Sequence, residues 1–173
     1  MNNTKIKIGV LGGSFDPAHK GHLAISKEAK KRFKLKKVIW AITKKNPFKK
    51  ESKTSIAQRI KYCKKIIGTN SFIKIKFYEK IIKSNKTINL INHLKKNKNV
   101  EIYFLMGADN LINFHKWHKS KLIPKKCNIL VFDRHGYKKN SLKSKTFKQL
   151  SKANLEFIEF NKVNISSSQL RKI

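Results

Sequence analysis

The chain has 173 residues, enough for one domain, 1–173, with a full hydrophobic core and short for two. Its formal net charge of +33 points first to an acidic partner, yet 39% of the residues are apolar and fall in short runs rich in Ile and Phe, so a globular fold is expected. No apolar run approaches ~20 residues, and Cys63 and Cys127 lack neighbours at metal-ligand spacing, which argues against a membrane span, a zinc site and a disulfide scaffold.

Residues 5–11 (KIKIGVL) alternate and end apolar, as a buried strand does. Gly12 and Gly13 then allow a turn that residues with a Cβ would resist, and Asp16-Pro17 keeps the chain from running on as sheet or helix. A helical pattern resumes at about His19, and the first helix covers roughly 21–33. His19 and His22 are three apart, which on a helix sets both imidazoles on one face at its N-terminal end. Unpaired N–H groups and the positive end of the dipole already favour an anion there, and two ring N–H donors suit a polyphosphate. The alternative is that one histidine caps a turn and the other is a satisfied helix residue. The strand, the glycine turn and the Phe15-Asp16-Pro17 link all fit one phosphate site, with Ser14 and Gly21 inside it. Neither GxGxxG nor GxxxxGK[ST] occurs in this stretch.

Beyond it, strand-like and helix-like stretches alternate. A buried strand ends at Ile42, a polar loop carries Asn46-Pro47, and residues 55–67 repeat at helical spacing up to Gly68. A third strand is expected at 72–78, a helix at 87–96, a fourth strand at 100–106 and a fifth at 128–132, with two short helical pieces between the last two. A helix near 145–150 leads to a last strand at 155–160. Such alternation implies right-handed βαβ units, hence an α/β, Rossmann-like fold: an open parallel sheet with helices on both faces. Ligands of such sheets sit beyond the carboxyl ends of the strands.

The segments following each strand therefore matter most. After the second strand, a lysine on the loop could reach a phosphate. After the fourth, Gly107 permits close backbone approach, Asp109 suits ribose hydroxyls and Trp117 offers a ring for stacking. Asp109 as a helix cap and Trp117 as core are the alternatives. Arg134, at the end of the fifth strand, is either a phosphate ligand or the partner of a nearby carboxylate. At the end, Ser166, Ser167 and Ser168 can cap a helix starting near Gln169, forming a second anion site with Arg171 one turn further in.

The stretch GGSFDPAHKGH from Gly12 to His22 resembles the (T/H)xGH signature of the nucleotidylyltransferase superfamily, and in this form it is most similar to the nicotinate-nucleotide adenylyltransferases. GADNLINFHKW, from Gly107 to Trp117, resembles that family's GADxLxxFxxW, NPFK its NPLK element, the Arg134 segment its RxG, and ISSSQLR its ISSTxIR. The resemblance implies transfer of the AMP moiety of ATP to nicotinate mononucleotide, with release of pyrophosphate. It implies that Trp117 stacks on the nicotinate ring, that Asp109 belongs to the nucleotide site, and that Lys49, Thr87 and Arg134 serve the mononucleotide. Two departures stand out: Asn85-Lys86-Thr87 replaces the family's SYT, keeping only Thr, and the chain stops at Ile173 where many members continue.

A phosphate monoester acceptor is already anionic and needs no general base, so the protein has to position two repelling anions and stabilise the developing charge. His19 and His22 are expected on the α and β phosphates, the terminal serines and Arg171 on β and γ, and Mg2+ held mainly by ATP. All but four of the 42 basic residues are lysine, scattered over every segment, a pattern that suits a coding bias better than a concentrated binding face. No specific nucleic acid and no membrane is expected as partner, although the charge should speed the approach of polyanionic substrates. The rival readings are a phosphopantetheine adenylyltransferase and a basic nucleic-acid-binding protein. MNNTK leads straight into a strand with no apolar signal region, so a cytoplasmic location is expected.

Overall fold

The sheet runs in the order β3-β2-β1-β4-β5-β6 with every neighbouring pair parallel. The computed structural model describes residues 4–44, 54–133, 143–145, 148 and 154–159. In chain order these form β1 (Ile6–Gly13), α1 (Lys20–Phe33), β2 (Lys37–Ile42), α2 (Ile56–Ile67), β3 (Ile73–Lys76), α3 (Glu79–Ile82), α4 (Thr87–Leu94) and β4 (Val100–Gly107). Then follow α5 (Ala108–Leu111), a 3-10 turn (Phe114–Lys116), α6 (Ile123–Lys126), β5 (Asn128–Phe132) and β6 (Leu155–Ile158). The chain builds outward from β1 to β3, then returns to place β4 on the other side of β1. Strand order reverses there, and right-handed crossovers consequently put the two sets of helices on opposite faces.

Strand alternation divides the core accordingly. Val38, Trp40 and Ile42 of β2 and Tyr103 and Leu105 of β4 pack with Ile25 and Ala29 of α1 and Cys63 and Ile67 of α2. Ile39, Ala41, Ile102, Phe104 and Met106 face the other way, against Ile88 and Ile91 of α4, Leu111 of α5 and Ile123 of α6. A sheet covered on both faces needs apolar residues at consecutive positions, and for that reason its strands read as continuous apolar runs. The two cysteines lie one in each core, and burial pushes both thiols up to about 12, which leaves neither poised as a nucleophile.

The α/β class, the parallel sheet and helices on both faces match the expectation from sequence. Three local readings do not. Gly12 and Gly13 form no turn: they finish β1, paired with Ala41 and Ile42, and the reversal comes at Phe15, whose φ is +50°. The pairing with β2 extends to the last glycine, with Thr43 N–H donating to Gly13 O at 2.8 Å, so the ladder holds the pair extended. β3 is shorter than expected, because the chain turns after Lys76 into α3. Three short helical elements rather than two join β4 to β5. Of the helix expected near 145–150, the described part shows Lys148 N–H donating to Ser144 O at 3.2 Å, a helical i to i−4 bond.

α2 is delimited by chemistry at both ends. Ser55 Oγ accepts from Gln58 N–H at 3.2 Å while Gln58 Oε1 accepts from Ser55 N–H at 3.0 Å, a reciprocal cap. Gly68 closes the other end at φ 58° and ψ −125°, outside the left-handed helical well that other residues reach. An added Cβ there would meet nothing within 4 Å, so the cost of a side chain is conformational alone. Gly68→Ala should therefore destabilise the fold by about 1–3 kcal/mol in urea unfolding. A change within experimental error would show that this backbone relaxes freely.

Candidate active site

The end of β1 and the start of α1 hold most of the candidate residues together. His19 is the N-cap of α1, with extended backbone at φ −149°, and its Nδ1 accepts from Gly21 N–H at 3.0 Å. His22, at the third helical position, returns the bond: its Nδ1 accepts from His19 N–H at 3.1 Å. Two imidazoles thus do what Ser and Glu do in a capping box. The pair consists of a cap and a first-turn residue rather than two helix residues, and the reciprocal bonds bring the ring centroids to 3.8 Å. With both Nδ1 atoms accepting, the proton of each neutral ring lies on Nε2, the nitrogen on the opposite side. Two N–H donors are so prepared at a helix N-terminus, where the dipole favours an anion.

Packing holds this arrangement from behind. The Phe15 ring lies 4.6 Å from His22 and is stacked on Trp40 at 4.9 Å, with an interplanar angle of 18°. Trp40 Nε1–H donates to Ser26 Oγ at 2.8 Å, and Ser26 Oγ–H donates to His22 O at the same distance. Phe15, His19, Ser26 and Trp40 are buried, while His22 is half-buried.

Beside β1 opens a pocket with about 380 Å³ of empty space, including the solvent at its mouth. Gly12 and Thr43 line it at the ends of β1 and β2, Phe104 from within β4, and Glu79, Lys86 and Thr87 close it from α3 and the start of α4. Its place is the crevice beyond the carboxyl ends of the strands, where their order reverses. Thr87 is the first residue of α4, and no side chain caps that helix. Burial pushes the Glu79 carboxyl up from its usual range, opposed by the Lys44 N–H it accepts and by the Arg59 charge.

Of the residues singled out in the sequence, Ser14, Phe15, His19, Gly21 and His22 come together after β1, and Gly12 and Thr87 share the pocket. Gly107 ends β4 and serves as the N-cap of α5, so Asp109 is a half-buried first-turn residue and not the cap. Trp117 is half-buried. It packs on Phe114 at 4.9 Å and meets Phe104 edge-on at 6.1 Å, touching a pocket wall without lining the pocket itself. Lys49, Arg134, Ser166, Ser167, Ser168 and Arg171 lie outside the described residues.

Sequence reasoning overlooked Arg59. It is 3% exposed, and its guanidinium donates to three backbone carbonyls of the loops after β1 and β2. Burial lowers its pKa, with Asp16 and Glu79 pulling the other way. A signal was present: Ile56, Arg59, Ile60, Cys63 and Ile67 recur at core-facing helical spacing, which places an arginine on the apolar side of its own helix.

Comparison with known proteins agrees with this fold. The cytidylyltransferase-like family model matches residues 10–173. A protein of Pelagibacter ubique named "Probable nicotinate-nucleotide adenylyltransferase" is 68% identical over 173 residues, covering all of this chain and 96% of the relative. One of the same name from Clostridium botulinum is 36% identical over 170 residues, 96% of this chain and 84% of the relative. In structure, a Plasmodium falciparum nicotinic acid mononucleotide adenylyltransferase complexed with NaAD superposes with a TM-score of 0.78 at 22% identity. That alignment covers 96% of this chain and 83% of the other, and it establishes a shared fold. The chain thus belongs to the cytidylyltransferase-like family, among its nicotinate-nucleotide adenylyltransferases.

Proposed function

We propose that the chain transfers the adenylyl group of ATP to nicotinate mononucleotide, giving nicotinate adenine dinucleotide and pyrophosphate. The observation that carries this reading is the mutually capped histidine pair at the start of α1, next to the strand-order reversal where Gly12 of the same strand–helix link lines a pocket. A phosphate oxygen of the mononucleotide attacks the α-phosphorus of ATP in line. The new P–O bond forms as the bond to the β-phosphate bridging oxygen breaks, and pyrophosphate leaves with that electron pair. Because the attacking group is already an anion, no side chain has to remove a proton.

His19 and His22, with the backbone of Gly13, Ser14 and Gly21, are assigned to the α and β phosphates, where donors at the developing charge contribute most. Phe15 backs His22 and closes the floor. We assign Gly107 and Asp109 to the nucleoside of ATP, Ser166, Ser167, Ser168 and Arg171 to its β and γ phosphates, and Lys49, Thr87, Trp117 and Arg134 to the mononucleotide. No group of three His, Cys, Asp or Glu side chains suited to a metal occurs among the described residues. In this reading magnesium is the counter-ion of ATP, neutralising phosphate charge. Among the described residues no helix is long and apolar enough to cross a membrane, and a cytoplasmic location is part of the same proposal.

Pyrophosphate release from ATP and magnesium with nicotinate mononucleotide, nicotinamide mononucleotide or phosphopantetheine, each supplied separately, tests this function. Release with nicotinate mononucleotide alone is the expected result. Release only with another acceptor reassigns the pocket, and release with none refutes adenylyl transfer. Trp117→Ala should mainly raise the KM for nicotinate mononucleotide, since removing a stacked ring loses binding rather than chemistry. An unchanged KM would remove Trp117 from the acceptor site.

A further inference from the structure

Arg59 takes no part in the motifs that define the site, yet both terminal nitrogens of its guanidinium donate to backbone around it, while its buried Nε–H makes no hydrogen bond among the described residues. Nη1 donates to Ser14 O at 2.9 Å and to Thr43 O at 2.8 Å, and Nη2 donates to Lys44 O at 3.2 Å. Ser14 immediately precedes Phe15, which packs on His22, and Thr43 is part of the pocket wall. A single side chain rooted near the start of α2 thus holds the segment after β1 against the segment after β2.

Its surroundings support the tie. Glu79 accepts from Lys44 N–H with both carboxylate oxygens at 3.2 Å, so the Lys44 residue is held at its N–H by Glu79 and at its carbonyl by Arg59. The Thr54 hydroxyl donates to Asp16, joining the approach to α2 to the same turn after β1. The chain has only nine carboxylates, and two of them, Asp16 and Glu79, act on this guanidinium. Burying a cation is costly, and a chain with 42 basic residues has ample charge on its surface, so what Arg59 adds inside is its fork of donors.

We propose that Arg59 is a positioning residue for adenylyl transfer: by tying Ser14 to Thr43 and Lys44 it sets the distance between the phosphate-holding start of α1 and the acceptor pocket. The inference rests on the function proposed above. In-line transfer requires the reacting atoms to meet within about 3–3.5 Å, and a displacement of about 1 Å can cost ~10²-fold in rate.

Arg59→Met and Arg59→Lys, made in the full chain, should be compared with wild type in kcat, both KM values, ATP binding, thermal unfolding and hydrogen exchange at the Thr43 and Lys44 amides. Arg59→Met should lower kcat by ~10²-fold with the KM for ATP near wild type, and should speed exchange at both amides. Arg59→Lys keeps the charge but as a point donor cannot fork among three carbonyls, so it should restore the unfolding temperature more fully than kcat. Wild-type kcat in a folded variant overturns the proposal, as does a loss of kcat that only follows the folded fraction. If Arg59→Met does not fold, Arg59→Lys gives the same reading. If wild type itself transfers nothing to nicotinate mononucleotide, the proposed function fails. Exchange at Thr43 and Lys44 in Arg59→Lys then decides on the tie, and unchanged exchange overturns it.

Discussion

Replacing His22 by alanine should lower kcat by ~10²-fold or more while changing ATP affinity far less. His22 performs two tasks with opposite edges of one ring. Nδ1 accepts from the His19 N–H, and the Nε2–H on the far edge is assigned to the phosphate charge that grows as the α–β bond breaks. Alanine removes both, and loss of a reciprocal cap alone costs about 1 kcal/mol of helix stability. His22→Gln separates the two. A glutamine at the third helical position can carry its carbonyl back to the N-cap N–H, as in an ordinary capping box, but it cannot put a ring N–H where Nε2 stood. It should therefore unfold like wild type and turn over like His22→Ala. Unchanged turnover in either variant would remove His22 from the chemistry, whereas turnover lost only in proportion to stability would reduce it to a helix cap.

Trp40→Ala should destabilise the fold by about 3–5 kcal/mol, more than the loss of any single cap or hydrogen bond around the site. The indole is fully buried on β2, stacked on Phe15, and hydrogen-bonded through Ser26 to the His22 carbonyl. Against a total stability of about 5–15 kcal/mol for an ordinary domain, that loss threatens folding at 37 °C. Trp40→Phe keeps an aromatic body and loses the Nε1–H, leaving the Ser26 hydroxyl short of a donor, and should cost about 1–3 kcal/mol. Denaturant unfolding followed by circular dichroism measures both without relying on tryptophan emission. If Trp40→Ala fell within about 0.5 kcal/mol of wild type, the core beneath the histidines would not be packed as described. Loss of the Nε1–H bond predicts that Trp40→Phe lowers kcat beyond its effect on the folded fraction, since that bond runs through Ser26 to His22.

The class of the fold and the pairing of His19 with His22 at the start of α1 were legible because their signals are local. Apolar runs, helical spacing and the proximity of His19 to His22 act within a few residues, and they located the first two helices and the strands closely. Even the failures near the site have a definite origin. Gly12 and Gly13 have the freedom to turn, yet they stay extended because β2 supplies hydrogen-bond partners up to Gly13. His19 has a poor residue type for a cap by ordinary preference, and it caps because His22 answers it.

What only the tertiary structure decided depends on residues far apart in the chain. Arg59 reaches Ser14 across 45 positions, and Glu79 reaches Lys44 across 35. Neither contact leaves a mark on spacing beyond an arginine placed where an apolar residue would fit. The order 3-2-1-4-5-6 likewise follows from how amphipathic helices cover both faces of the sheet, and that order brings Gly12, Thr43, Thr87 and Phe104 to one pocket. By itself the sequence determined that His19 and His22 lie together at the start of the first helix, since that proximity belongs to the side chains and their nearest neighbours. Which of them face a common crevice, and what holds them there, was decided by long-range packing and buried hydrogen bonds, whose partners no local pattern specifies.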